Sequence, residues 1–156
     1  LALSAAFARC QDPSFASAAL GALAPVRELA LEEPGSRPLG AFDGLPCVIY
    51  VLWHSARLLE EPALVDDGRR LLHGIDRESV ERDRVFDVTS GLAGLILAIR
   101  CLEPVEEKRV HDLVEASARH LVAHAKRLED GVQRHLDIRE ARTGGRLAPE
   151  SKACAR

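Results

Sequence analysis

The sequence predicts an all-α protein built from repeated helical hairpins, and three observations carry that reading. A short motif appears twice, as Phe42-Asp43-Gly44-Leu45-Pro46-Cys47-Val48-Ile49 and as Thr89-Ser90-Gly91-Leu92-Ala93-Gly94-Leu95-Ile96, with Gly44 and Gly91 separated by 47 residues. Self-similarity at such a period is the signature of repeated helix pairs. Leu, Ala, Val, Arg and Glu dominate, aromatics make up only 4% and methionine is absent, a composition that favours helices over strands. A segment that is apolar nearly all round is followed by an amphipathic one, and the order then repeats, as two concentric layers of helices require. Two copies do not close such a structure, so the chain reads as part of a larger ring or array.

The elements follow in order. Asp12-Pro13 fits a helix cap followed by Pro at the first helical position, and a helix is expected to about Leu31, with Pro25 able to kink or split it. Glu33-Pro34-Gly35-Ser36-Arg37-Pro38 is a break. The next helix is expected from Asp43 to near Glu60, with Pro46 in its tolerant first turn. Leu45, Val48, Ile49, Tyr50, Val51, Leu52 and Trp53 leave it almost no polar face, so it should be buried. Pro62 can open an amphipathic helix with Leu64, Val65, Leu71, Leu72 and Ile75 on one stripe and Asp66, Asp67, Arg69 and Arg70 facing away. Arg77 to Arg84 reads as a helical extension or a loop. The second round runs from Ser90 to Leu102, apolar through Leu92, Leu95, Ile96, Leu97 and Ile99. A long helix from Pro104 to about Glu129 follows, its stripe formed by Val110, Val114, Ala118, Leu121, Ala125 and Leu128. After Gly131 the periodicity fades, and Thr143-Gly144-Gly145 and Pro149 read as loop.

Length and charge narrow the function classes. At 156 residues the chain is expected to be one domain, residues 1–156, and its start at Leu1 suggests a fragment. Net charge is −3 with both signs interspersed, which offers no basic stripe for nucleic acid. No apolar run is long enough for a membrane span, and the N-terminus lacks a signal peptide. Cys10, Cys47, Cys101 and Cys154 form no Cys-x-x-Cys pair, which favours reduced thiols in a cytoplasmic protein.

Several residue patterns bear on chemistry. His120 and His124 share a helical face at metal-binding spacing, but the Glu of a His-Glu-x-x-His motif and a third ligand are lacking, so surface histidines are favoured. His54, His73, His111 and His135 are isolated. Cys47 could be activated by a helix start, although its apolar neighbours favour a small core residue. Gly91-Leu92-Ala93-Gly94 lacks the Lys-Ser/Thr ending of a phosphate loop, and its glycines suit close helix packing. Asp43 and Asp87 lie at or just before the starts of the two apolar helices. In a helical ring such starts gather at one rim, where two carboxylates could serve acid–base chemistry. The structural alternative, which spacing alone favours, is that Asp43 caps its helix and Asp87 holds the loop before the next.

At these motifs the chain resembles the cyclase domain of class II lanthipeptide synthetases. The residues that carry the resemblance are Leu39-Gly40-Ala41-Phe42-Asp43-Gly44-Leu45-Pro46 with Val48-Ile49-Tyr50-Val51-Leu52, and Asp87-Val88-Thr89-Ser90-Gly91-Leu92-Ala93-Gly94-Leu95-Ile96. Pro62-Ala63-Leu64 and Asp83 also fit, and the likeness spans about residues 13–142. The resemblance implies a partial α/α toroid of the LanC-like, six-hairpin type. It further implies an activity: peptide cysteine thiols add to dehydroalanine or dehydrobutyrine of a precursor (leader-core) peptide, forming thioether rings. Asp87 falls on the acidic position associated with that family's active site, where it would orient or exchange protons with a histidine of the next repeat. The complete domain of the family holds zinc through two cysteines and a histidine. The motifs that supply them, and the Gly-x-x-His-Gly motif of the third repeat, have no match here, so no zinc is expected on this chain and the segment alone is expected to be inactive. Cys47 stands where the family usually has Gly. Two other readings remain: a non-catalytic helical toroid that binds a peptide, and a glycosidase-like toroid using Asp43 and Asp87.

Overall fold

The computed structural model describes residues 1–32, 37–128 and 131–134, and these are mainly helical. Among the described residues seven helices run in order: α1 (Ala2–Cys10), α2 (Pro13–Glu32), α3 (Leu45–Leu59), α4 (Ala63–Gly74), α5 (Arg77–Arg82), α6 (Leu92–Ile99) and α7 (Glu103–Ala123), with a 3₁₀ turn over Arg100–Leu102. A two-stranded antiparallel hairpin follows, β1 (Ala125–Leu128) with β2 (Gly131–Arg134), pairing Ala125 with Arg134 and Leu128 with Gly131.

The core is made by helices α2, α3, α4, α6 and α7, chiefly through Leu45, Ile49, Leu52, Leu64, Leu71, Leu72, Leu92, Leu95, Ile99, Leu102 and Val110, all fully buried. Helix α3 packs on α4 as one hairpin, α6 on α7 as the next, and α3 lies beside α6. Helix α1 packs on α2 and α3, where Ser4 and Ser55, both buried, share a hydrogen bond of 3.1 Å. The expected order of an apolar helix and then an amphipathic one therefore stands. The ring arrangement belongs to the functional reading below.

Several local expectations are corrected. Pro25 stays inside α2 without splitting it. Arg77–Arg82 is a separate short helix, because Asp76 caps it by accepting the Ser79 N–H at 2.7 Å. Helix α7 stops at Ala123, and residues 125–128, expected to continue it, pair as a strand. Helices α3 and α6 are not buried all round: Tyr50 is 40% exposed and Leu97 is 59% exposed, and the two are separated by the same 47-residue interval. Asp67, expected on the solvent face of α4, is buried. It is held by Arg27 of α2 and by Arg70 at 2.6 Å, which ties α2 to α4 and satisfies the buried carboxylate.

Candidate functional site

The candidate site is built by the two glycine loops that precede α3 and α6. Each loop folds back on its own helix through the same bond: Leu45 N–H donates to Pro38 O and Leu92 N–H to Val85 O, both at 3.0 Å. A second matched pair follows one turn on, Cys47 N–H to Gly44 O at 3.1 Å and Gly94 N–H to Gly91 O at 2.8 Å. Every member of one loop lies 47 residues from its counterpart. The repeat read in the sequence is thus a repeat of backbone hydrogen bonding.

The loops also bind each other. Ala41 N–H donates to Val88 O at 3.0 Å and Phe42 N–H to Thr89 O at 3.1 Å. Ser90 Oγ–H donates to Asp43 Oδ2 at 2.6 Å. These bonds set the starts of α3 and α6 side by side. The close approach explains the glycines. A Cβ on Gly94 would come within 3.0 Å of Val88 O and of Ala41 N, one atom from each loop. A Cβ on Gly91 would strike the backbone of Val85, and one on Gly40 the backbone of Thr89 and Ser90. Backbone atoms cannot rotate aside as a side chain can, so these positions need glycine for space.

Asp43 was expected to cap its helix, and the second apolar helix was expected to begin at Ser90. The residues that precede the first helical turns are instead Gly44 and Gly91, and no side chain caps either helix. The Asp43 carboxylate is used across the loops on Ser90. Asp87, half-buried, accepts the Ser90 N–H on Oδ1 at 2.7 Å, so it does hold its loop. One serine therefore ties both candidate carboxylates into the same short segment.

Cys47 occupies the position matched by Gly94. In the second loop Gly94 N–H also reaches Asp87 O at 3.3 Å. Among the described residues the first loop has no counterpart to that bond. Burial pushes the Cys47 thiol up, and the Asp43 charge pushes it further the same way. This is the opposite of an activated thiol.

Beyond Asp87, Asp83 is half-buried and accepts the Val85 N–H at 2.8 Å. Burial raises its carboxyl above the usual range. The Val85 bond, His120 and Arg84 act against that rise, and the Asp87 charge adds to it. The aromatic ring of Phe86 lies between this loop and α7, 5.2 Å from His124 and 5.8 Å from His120. His120 Nε2 is 3.0 Å from the Asp83 carbonyl oxygen, and His124 Nδ1 is 2.9 Å from the His120 carbonyl oxygen. The histidine pair therefore does structural work, joining α7 to the loop. Sequence reasoning had no signal for this, because the partners are backbone oxygens. His73 pairs with Glu106 at 3.2 Å, and the His54 ring lies tilted against Tyr50 with the ring centres 4.2 Å apart, its pKa lowered by burial and by Arg57. His111 is exposed. His135 and Cys154 lie outside the described residues.

The described residues do not themselves form the zinc site that the resemblance implies for the complete domain. Among the described residues no three His, Cys, Asp or Glu side chains gather as a metal site. Cys10, Cys47 and Cys101 are free thiols on separate elements, and burial raises both Cys47 and Cys101. A groove of about 520 Å³ runs between α5 and α7, with Arg77, Glu81, Arg109, Asp112 and Arg119 on its walls. It is lined by neither Asp43 nor Asp87. Among the described residues no helix is long and apolar enough to cross a membrane.

No family model, curated protein or solved structure matches this chain.

Proposed function

We propose that the chain is a segment of a lanthionine-forming cyclase domain, the part that contributes two glycine-loop hairpins to the rim of an α/α toroid. The observation that carries the reading is the coupling of the two loops through Ser90, which sets Asp43 and Asp87 beside the starts of adjacent helices. Such a domain takes a dehydrated precursor peptide in a cytoplasmic setting where thiols stay reduced. The peptide's cysteine sulfur bonds to Cβ of a dehydro residue, the carbon–carbon double bond opens, and a proton goes to Cα. The residues of this segment supply no zinc ligands, so zinc in this reading belongs to other parts of the domain and no step is assigned to it here.

Asp87 is a positioning residue in this reading. Its Oδ1 fixes the second loop, and among the described residues Oδ2 is the oxygen without a hydrogen bond, available to orient a histidine. In the complete cyclase domain that the reading requires, Asp87→Asn keeps an oxygen for the Ser90 N–H and removes the charge. Cyclisation should slow by about 10²-fold, the usual scale for lost proton-transfer assistance, while dehydration continues. Alkylation of free thiols followed by mass spectrometry reads the outcome. Rings formed at the wild-type rate would end the assignment.

A further inference from the structure

The groove between α5 and α7 is a second concave site, separate from the glycine loops. Its volume of about 520 Å³ falls in the roughly 300–1,000 Å³ range of small-molecule sites. Four of the charged residues on its walls are already matched, Arg77 with Glu81 at 2.7 Å and Arg119 with Glu115 at 2.5 Å. His120, also on the wall, is engaged with the Asp83 carbonyl oxygen. Two charges are left over. Arg109 donates one guanidinium nitrogen to the carbonyl oxygen of Ile75, at the end of α4, and its Nε is buried with no acceptor. Asp112 is exposed and has no hydrogen bond or ion pair among the described residues. The two lie three residues apart on α7, a spacing at which Arg and Asp can pair, but the guanidinium is committed to the Ile75 carbonyl. The groove therefore presents one open positive charge beside one open negative charge. With three arginines against three carboxylates it has no net excess of either sign, so a phosphate or a polyamine would meet as many like charges as opposite ones.

We propose that the α5–α7 groove binds a free amino acid with an aliphatic side chain, its α-carboxylate on Arg109 and its α-ammonium on Asp112. Helix neighbours at that spacing have β-carbons about 5–6 Å apart. A zwitterion with a hydrogen bond of about 2.8 Å at each end reaches that far. Leu113, in the core, and Ala116, packed against the core, line the same groove and give the aliphatic side chain an apolar seat. Both ends of the ligand are needed, because removing either leaves a charge on the wall unmatched. Neither Asp43 nor Asp87 lines the groove, so the inference holds whether or not the cyclase reading does.

Titration of the intact chain with L-leucine, followed by amide NMR, supplies the test. Saturable shifts are expected at millimolar ligand on the groove segments of α5 and α7, with the amides of the glycine loops unchanged. N-acetyl-leucine lacks the ammonium and leucinamide lacks the carboxylate. Each should bind at least about 10-fold more weakly than L-leucine, the scale of one charged hydrogen bond. Asp112→Asn alters an exposed residue without a partner, so the fold should be kept. It should weaken L-leucine by about 10-fold and bring it level with N-acetyl-leucine. Arg109→Met should likewise bring L-leucine level with leucinamide; if loss of the Ile75 bond unfolds that variant, Asp112→Asn decides alone. Glu107→Gln removes a carboxylate of α7 that lies outside the groove and should leave binding unchanged. The proposal is overturned if L-leucine gives no saturable shift, or if the three ligands bind equally. Wild-type affinity in Asp112→Asn, or an equal loss in Glu107→Gln, would overturn it as well.

Discussion

Gly94→Ala is the sharpest perturbation of the paired loops. The added methyl would lie within 3.0 Å of Val88 O on one side and of Ala41 N on the other, both backbone atoms. The loops must separate to admit it. Overpacking of this kind costs about 1–3 kcal/mol. Separation also breaks the bonds from Ala41 to Val88 and from Phe42 to Thr89, each contributing about 1 kcal/mol net. The expected loss is therefore about 3–5 kcal/mol, a large share of the roughly 5–15 kcal/mol that a domain has. Urea denaturation of purified protein measures it, and exchange at Ala41 and Phe42 reports whether the loops have parted. Gly21→Ala and Gly68→Ala provide the contrast. Each lies inside a helix with nothing within 4 Å of the new methyl, so each should gain up to about 1 kcal/mol. A Gly94→Ala protein within about 0.5 kcal/mol of wild type, with Ala41 and Phe42 still protected, would refute the packing argument.

Two further predictions concern buried groups. Arg27→Met leaves the Asp67 carboxylate, 2% exposed, with Arg70 as its one remaining partner among the described residues. The loss should be about 3 kcal/mol by chemical denaturation, and Arg27→Lys should recover part of it; a neutral result for Arg27→Met would show that the pair does not tie α2 to α4. The thiols should alkylate in the order Cys10, Cys47, Cys101, mapped by mass spectrometry of the labelled peptides. Cys10 is exposed, whereas burial pushes Cys101 up to about 11, so at pH 8 only about one Cys101 in a thousand is thiolate. Labelling of Cys101 as fast as Cys10 would contradict its burial.

Helix identity was legible wherever one chemical pattern decided it. The apolar runs after Gly44 and Gly91 read as helices through the repeat and the helix-favouring composition, and the stripe of α4 through its periodicity. The cap at Asp76 and the end of α7 were harder. Asp130-Gly131 is a hairpin-type dipeptide, yet Ala125 and Leu128 continue the helical stripe, and the longer pattern misleads. Asp67 shows a different limit. Its charge reads as solvent-facing until Arg27, 40 residues earlier, is brought beside it by the fold. The candidate site was half legible. The glycines and aspartates stand out by repetition, whereas the bonds that give Asp43 and Asp87 their partners run to Ser90, which the sequence marks only as the start of an apolar run. The role of His120 rests on a backbone carbonyl and leaves no trace in side-chain spacing.

The bonds between the two hairpins described at the loops are made by backbone atoms of short segments, and this has a consequence for how the molecule can vary. Helix α4 has 12 residues and α7 spans 21 with a kink at Glu106, yet the loops before α3 and α6 keep the same register. Length is therefore free to change in α4 and α7, away from the paired loops. A single residue added or removed between Pro38 and Leu45, or between Val85 and Leu92, would shift every donor past its acceptor at once. The molecule is tolerant where α4 and α7 end and unforgiving at the paired loops, so lineages of such chains should differ most in the length of those helices and least in loop length.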